Sequence, residues 1–307
     1  MSIRPTLFSG QFLERRAELR DDPGWISVAR DDQATRYVLG AGGAQLVTSG
    51  ELTEIAFLAG EDPLVTAARD EDLTLLGWFR GARCVLVDLR DPASVAPLPA
   101  GTELRELRPL APMLPPDSAS LLAYARALAL WKSRHRHCGV CGAPNFPARA
   151  GHVLRCSRAT CGSESFPRLD PAIIVLVTDA GGERALLGRQ ASWPAGRYST
   201  IAGFVEPGES LEDAVAREVE EETGIHVGQV QYQSSQPWPF PSSLMLGFRA
   251  VARTHEITLR DGELEDARWF TRADLAAGHP ALPPPGAISA RLIDGWFHAP
   301  DAQPPSR

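Results

Sequence analysis

Residues Arg217-Glu218-Val219-Glu220-Glu221-Glu222-Thr223-Gly224 carry four carboxylates in eight positions. A helix through this stretch sets Glu218 and Glu222 one turn apart on one face, with Glu221 flanking them. Like charges at that spacing destabilise a helix by about 0.2–0.5 kcal/mol per pair. The negative end of the helix macrodipole adds to the cost. A divalent cation reverses the sign, because hard cations such as Mg²⁺ take carboxylate oxygens and complete their shell with water and substrate phosphates. Taken alone, such a cluster reads first as a solvated acidic helix end. The residues upstream decide against that reading.

Upstream runs Gly203-Phe204-Val205-Glu206-Pro207-Gly208-Glu209, then Ser210-Leu211-Glu212-Asp213-Ala214-Val215-Ala216. Pro207-Gly208 marks a turn. Ser210 is the N-cap expected for a helix over about Leu211 to Thr223, with Asp213 supporting the first turn and Gly224 closing it at C′. Leu211, Ala214, Val215 and Val219 form the apolar stripe. Glu218 and Glu222 continue along nearly the azimuth of Leu211, so one face changes from hydrocarbon to carboxylate. A helix whose front half packs on a sheet and whose back half reaches a metal has reason to do so.

Gly203, Glu209, Arg217-Glu218-Val219, Glu221-Glu222 and Gly224-Ile225 stand in the register of the complete Nudix box, and the chain resembles that family. Chance agreement at average residue usage is on the order of 10⁻⁸ per starting point. The resemblance implies hydrolysis of a nucleoside diphosphate linked to another group, with Mg²⁺ or Mn²⁺ held by the box. By position, Glu218 and Glu222 are implied as direct ligands. Glu221 is implied as a further ligand or a water-positioning group, and the Ala202 carbonyl as a backbone ligand. Arg217 is similar to the structural arginine that holds the box loop, through Glu209.

Downstream stands Ser235-Gln236-Pro237-Trp238-Pro239-Phe240-Pro241-Ser242-Ser243. Three alternating prolines fix φ and remove donors, so the segment is stiff and non-helical. Its two aromatics are of the kind that stack on planar heterocycles, or that fill a core from a Pro-rich edge strand. The string is similar to the signature of the NADH pyrophosphatase subfamily. That resemblance implies that Gln236, Pro237, Trp238, Pro239, Phe240, Pro241, Ser242 and Ser243 contact NAD(H), with Phe166 and Ser289 as further contact positions. Within Asp261-Gly262-Glu263-Leu264-Glu265-Asp266-Ala267-Arg268-Trp269-Phe270, Glu263 is similar to the family's fourth metal-binding glutamate, with Glu265 and Asp266 as alternatives.

Four of the five cysteines fall as Cys138-x2-Cys141 and Cys156-x4-Cys161. Each pair is followed by glycine, which suits the knuckles of a Cys₄ zinc ribbon. Disulfides are the alternative. The opening Met-Ser-Ile-Arg-Pro lacks an apolar signal region, so a cytoplasmic, reducing compartment is expected, where thiolates and Zn²⁺ prevail. With all four ligands Cys the metal is structural. Cys84 reads as a buried strand residue.

The net charge of −7 argues against bulk nucleic-acid binding. Yet Arg126, Lys132, Arg134, Arg136, Arg149, Arg155, Arg158 and Arg168 cluster against Glu164 alone. Two readings stand side by side: the cations balance the thiolates of the ribbon, or they steer RNA bearing a 5′ NAD.

With 307 residues the chain has room for several domains. The fold class expected is α+β. Residues 1–110 form an N-terminal α+β domain with strands near Ala34–Leu39, Leu73–Trp78 and Cys84–Leu89. Residues 111–133 form a linker, from the Pro-rich Leu110–Pro116, and a helix capped by Asp117 or Ser118. Residues 134–169 form the ribbon, 170–298 the hydrolase domain and 299–307 a disordered tail. The Nudix fold implied by resemblance is a mixed sheet between helices. No apolar run reaches membrane-spanning length. The expected reaction is metal-dependent hydrolysis of NAD(H) to NMN(H) and AMP, with NAD-capped RNA as a second substrate and a homodimer as the implied assembly. Glu221, Glu222 and Glu263 are alternative candidates for the base. The competing readings are a Nudix hydrolase acting on ADP-ribose or dinucleoside polyphosphates, and a non-catalytic NAD(H)- or RNA-binding protein on the same scaffold.

Overall fold

The computed structural model describes residues 6–89, 97–260 and 262–299. The opening pentapeptide, Asp261 and most of the expected tail lie outside the described residues. Two compact units divide the chain. Among the described residues, one comprises Thr6, Asp170–Pro237 and those from Ser243 onward; the other comprises those between Leu7 and Leu169 together with Trp238–Ser242.

In the N-terminal unit, six strands form one sheet: β1 (Leu13–Glu14), β2 (Arg36–Ala41), β3 (Ala44–Thr48), β4 (Leu73–Phe79), β5 (Ala82–Leu89) and β6 (Thr102–Glu106). Their order is β1-β4-β5-β2-β3-β6, with β2 parallel to β5. Its helices are α1 (Trp25–Asp31), α2 (Pro63–Thr66), α3 (Leu107–Leu110) and α4 (Pro116–Arg134). The strands present one core to each sheet face. Val38, Leu76, Cys84 and Leu86 pack with α4, whereas Tyr37, Leu39, Leu75 and Val85 pack on the other side.

Two expectations are corrected here. Leu110–Pro116 is no free linker: Leu107, Leu110 and Leu114 recur at helical spacing and are buried, so α3 and a 3₁₀ turn over Ala111–Met113 pack into the core. Helix α4 also starts earlier than Asp117 or Ser118. Pro116 opens it, since proline at the first helical position loses no intrahelical bond. Asp117 instead takes a hydrogen bond from Arg80 Nε at 2.7 Å, and Ser118 Oγ donates to Glu54 at 3.0 Å.

The ribbon comprises β7 (Asn145–Ala148), β8 (Val153–Cys156) and β9 (Glu164–Ser165), all antiparallel. It is tied into the N-terminal unit by His152, whose Nε2 lies 2.7 Å from the Leu75 carbonyl.

The second unit holds β10 (Asp170–Thr178), β11 (Arg184–Arg189), β12 (Ile201–Phe204), α5 (Leu211–Thr223), β13 (Val227–Trp238), β14 (Ser243–Ala252), β15 (Asp266–Thr271), α6 (Arg272–Ala276) and α7 (Ile288–Phe297). The sheet order is β13-β14-β10-β11-β15, with β10 and β14 parallel. Ala172–Val177 is buried throughout because both faces are covered. Alternation sorts the faces: Ile173, Val175 and Val177 meet α5, while Ile174 and Leu176 meet α7. This is the mixed sheet between helices that the box implied. One edge of β10 is shared, its first half pairing with β12 and its last residues with β11. That splay brings Ala202 and Gly203 beside α5.

Candidate active site

Helix α5 is specified locally at both ends. Ser210 Oγ accepts from the Asp213 N–H at 3.2 Å, and Gly224 closes the helix at φ 70°. Ala214, Val215 and Val219 are fully buried against the sheet. That burial fixes the azimuth of the carboxylates that follow.

The loop before the helix is held by Arg217. Its Nε donates to Glu209 Oε1 at 2.6 Å and its Nη2 to Glu209 Oε2 at 3.0 Å, a bidentate pair. Nη2 also donates to the Phe204 carbonyl at 2.9 Å, and Nη1 to Glu221 at 2.9 Å. Nη1 lies 3.0 Å from Glu218 as well. The Arg217 guanidinium and the Glu206 N–H pull Glu209 from the ordinary 4.5 to about 2.

Glu218 turns into the fold against β12. A Cβ built on Gly203 would stand 1.9 Å from Glu218 Cδ, so only glycine leaves room for that carboxylate. Burial raises the Glu218 pKa, and the charges of Glu221 and Glu263 push the same way against Arg217. Glu222 is 4% exposed. Arg217, Glu220, Glu221, Arg260 and Glu263 line a cleft of about 540 Å³. Of the three acids near Trp269, Glu265 pairs with Arg189, while Asp266 accepts from Tyr198 Oη and lies 2.6 Å from Arg268 Nε. Glu263 is the one that shares the cleft with Glu221. A set of hard oxygen donors whose mutual repulsion already disfavours charge fits a divalent cation of the Mg²⁺ class. Arg260, three residues before Glu263, escaped the sequence reading because nothing in its neighbourhood marks it off from a solvated loop cation.

The substrate positions distribute unevenly. Gln236 is buried: its Nε2 donates to the Gly286 carbonyl at 3.0 Å and its Oε1 accepts from the Ile288 N–H at 2.9 Å, fastening the start of α7. Ser289 is buried against Ser199 and Thr200, each hydroxyl 2.8 Å away. Ser243 is buried and Pro237 exposed. Trp238–Ser242 belongs to the N-terminal unit, where Trp238 and Phe240 pack with Phe8 at centroid distances of 6.0 and 5.9 Å. The aromatics are therefore partly core residues of that unit. Phe166, after β9, is 58% exposed.

The four ribbon sulfurs lie within 4.8 Å of one another. Cys138 Sγ is 3.9 Å from Cys161 Sγ, and Cys141 Sγ 3.4 Å from Cys156 Sγ. Both are far beyond a disulfide bond and near the roughly 3.8 Å that a tetrahedral ZnS₄ site requires at about 2.3 Å per bond. The two extra residues of the second pair are absorbed by a turn in which the N–H groups of Cys161 and Gly162 both bond the Arg158 carbonyl. The Arg158 N–H reaches Cys156 Sγ at 3.4 Å, as the Val140 N–H does for Cys138. The donor set fits a structural Zn²⁺.

Residues 168–292 match the family model of the NUDIX domain, 133–166 the NADH pyrophosphatase zinc ribbon domain, and 34–131 the NADH pyrophosphatase-like rudimentary NUDIX domain. The NAD-capped RNA hydrolase NUDT12 of Macaca fascicularis is 36% identical over 94% of this chain and 73% of its own length. The chain belongs to the NADH pyrophosphatase group of Nudix hydrolases. The NAD-capped RNA hydrolases NudC of Stutzerimonas stutzeri and Mycobacterium bovis are both 46% identical, over 71% and 73% of this chain and 75% of their own lengths. Within the N-terminal unit of this Nudix hydrolase, residues 34–131 thus resemble a rudimentary NUDIX domain. The sequence reading missed it because that region carries no box.

Proposed function

We propose that this Nudix hydrolase cleaves the pyrophosphate of NAD(H) to NMN(H) and AMP and removes NAD caps from RNA 5′ ends. The observation that carries the reading is the gathering of carboxylates at the end of α5: Glu221 and Glu263 line one cleft, both push on the charge of the neighbouring Glu218, and Glu222 stands one turn beyond Glu218 on the helix. Similarity to an NAD-capped RNA hydrolase over 94% of the chain supports the choice of substrate.

Glu218, Glu221, Glu222 and Glu263, with the Ala202 carbonyl, would hold Mg²⁺ or Mn²⁺. Such an ion neutralises charge developing on the phosphates and lowers the pKa of the attacking water. The chain's own part is positional. Arg217, anchored by Glu209, keeps the box loop closed on α5. It also holds Glu221 at the mouth of the cleft. Arg260 and Arg217 add positive charge where a diphosphate enters. A glutamate of the set, Glu221, Glu222 or Glu263, takes or orients the water proton. Trp238 and Phe240 offer ring faces to the bases, within the span Gln236–Ser243, with Phe166 and Ser289 as outlying positions.

We take residues 134–169 as the ribbon and 170–298 as the hydrolase domain, a division that the matches over 133–166 and 168–292 support; the match over 34–131 runs across residue 111 and joins the helix of 111–133 to the N-terminal domain of 1–110. The enzyme would act as a homodimer in a reducing cytoplasm, consistent with thiolate ligands. No described helix is long and apolar enough to cross a membrane.

The test is incubation with NADH, NAD, NAD-capped RNA and ADP-ribose, each with and without Mg²⁺ or Mn²⁺, followed by product identification. NMN(H) with AMP or 5′-phosphorylated RNA is expected. Faster turnover of ADP-ribose than of either dinucleotide would overturn the substrate assignment, and binding without turnover in any metal would overturn the enzyme reading.

A further inference from the structure

Arg126 sits half-buried on α4, and its guanidinium reaches in three directions. Nη1 donates to the Gly43 carbonyl at 2.6 Å. Nε donates to the Pro239 carbonyl at 3.1 Å. The guanidinium carbon lies 5.1 Å from the centroid of the Phe240 ring. Among the described residues it is in ion-pair contact with no carboxylate.

Each partner needs such a donor. Gly42 and Gly43 turn the β2–β3 hairpin at φ 55° and 92°, and a Cβ on Gly43 would come within 3.2 Å of Arg126 Nη1. The positive φ at both positions suits glycine, and the turn presents its Gly43 carbonyl to Arg126. On the other side, Pro237, Pro239 and Pro241 contribute no N–H, so the segment has few donors with which to fix itself. Within it, the Phe240 N–H bonds the Trp238 carbonyl at 2.8 Å. Trp238 and Phe240 stack edge-to-face at 5.3 Å, with Arg108 5.8 Å from the Trp238 ring. A cleft of about 680 Å³ borders this arrangement, lined by Gly43, Arg108, Arg126, Phe240 and Pro241 among others.

We infer that Arg126 is a positioning residue for the aromatic segment, bracing Pro239–Phe240 against the Gly43 hairpin so that substrate affinity depends on it. The inference rests on the proposed role of Trp238 and Phe240 in gripping the dinucleotide. A planar fork that bonds two carbonyls and stacks on a ring has no equivalent in lysine.

Steady-state kinetics with NADH and saturating Mg²⁺ on Arg126→Ala, Arg126→Lys, Phe240→Ala and the double variant Arg126→Ala/Phe240→Ala tests it. Loss of charge-assisted bonds predicts KM raised about tenfold in Arg126→Ala with kcat changed less than about twofold. In the Phe240→Ala background the same substitution should raise KM less than about twofold, because the two side chains act as one unit. Arg126→Lys should stay well above wild-type KM, and it serves where the alanine variant fails to fold. Independent, multiplicative effects, or a fall in kcat at unchanged KM, would overturn the inference. Labelling with 5-fluorotryptophan separates it from the functional reading. The ¹⁹F resonance absent from Trp238→Phe should move in Arg126→Lys even if wild type turns over no NADH. An unmoved resonance would refute the brace whatever the substrate.

Discussion

A methyl group on Gly203 would occupy the space of the Glu218 carboxylate, at 1.9 Å from Cδ. Gly203→Ala should therefore push Glu218 off β12 while leaving the strand, whose ladder needs no glycine there, in place. We expect turnover to fall more than about tenfold, as displacement of a ligand by about 1 Å commonly does, with circular dichroism unchanged; near-normal turnover would show that Glu218 need not lie where it does. Glu222→Gln keeps the volume and removes the charge, and kcat should fall more than about a hundredfold if several kcal/mol of charge stabilisation run through that site. Glu209 gives a pH test. Its folded pKa of about 2 lies below the ordinary 4.5, so its contribution to stability is present above about pH 4.5 and is lost as pH falls towards 2. The difference in Tm between wild type and Glu209→Gln should be full at neutral pH and shrink at ~pH 3. A difference that is constant with pH would mean that the bidentate pair with Arg217 contributes nothing. These residues were legible in the sequence because their partners are near in the chain: Arg217 meets Glu209 eight positions back and Glu221 four positions on. Arg126 was not, because its two carbonyl partners lie 83 and 113 positions away.

Elements whose signals are local were readable to the residue. Helix α5 begins after Ser210 and stops at Gly224, as cap chemistry dictates. The stretch Ile173–Val177 declared a strand covered on both faces. The reading of Leu110–Pro116 as a linker erred because prolines were weighted as breakers. Leucines at i, i+3 and i+7 determine burial there, and Pro116 is compatible with a helix start. The ribbon is the element most dependent on a ligand, since three short strands enclose little core of their own. Cys141→Ser should lower bound zinc below the roughly one ion per chain expected of a closed Cys₄ site, as read by a chromogenic chelator on the denatured protein. It should also lower Tm, while the wild type loses the same increment of Tm on prolonged EDTA treatment. Zinc-free wild type with unchanged Tm would remove the metal from the ribbon's stability.

At the scale of the whole molecule, the sequence could name Trp238 and Phe240 but not the unit they would join. Between Trp238, the last residue of β13, and Ser243, the first of β14, Trp238 and Phe240 meet Phe8 and the Pro239 carbonyl meets Arg126, neither of them nearby in sequence. The same scale decides what the basic segment can do within a chain of net charge −7. Counting its eight cations overstates it. Lys132 is buried and donates to Thr74, Arg149 pairs with Asp21, Arg155 pairs with Glu164, and Arg126 is committed to carbonyls. Arg134, Arg136 and Arg158 are exposed and in no ion pair among the described residues. If these three meet the phosphates of a single-stranded RNA, log affinity should fall with log salt at a slope of about −2. The measurement is Kd of Glu222→Gln for NAD-capped RNA and for NADH, at fixed Mg²⁺, across ~50 to ~300 mM KCl. NADH has no phosphodiester chain to track the arginines and should show a slope of about −1 or shallower. Arg134→Ser combined with Arg136→Ser should reduce the RNA slope by about 1.4 and leave that of NADH unchanged. Equal slopes for the two ligands, or an RNA slope indifferent to those substitutions, would leave the arginines the simpler task of balancing the ribbon's thiolates.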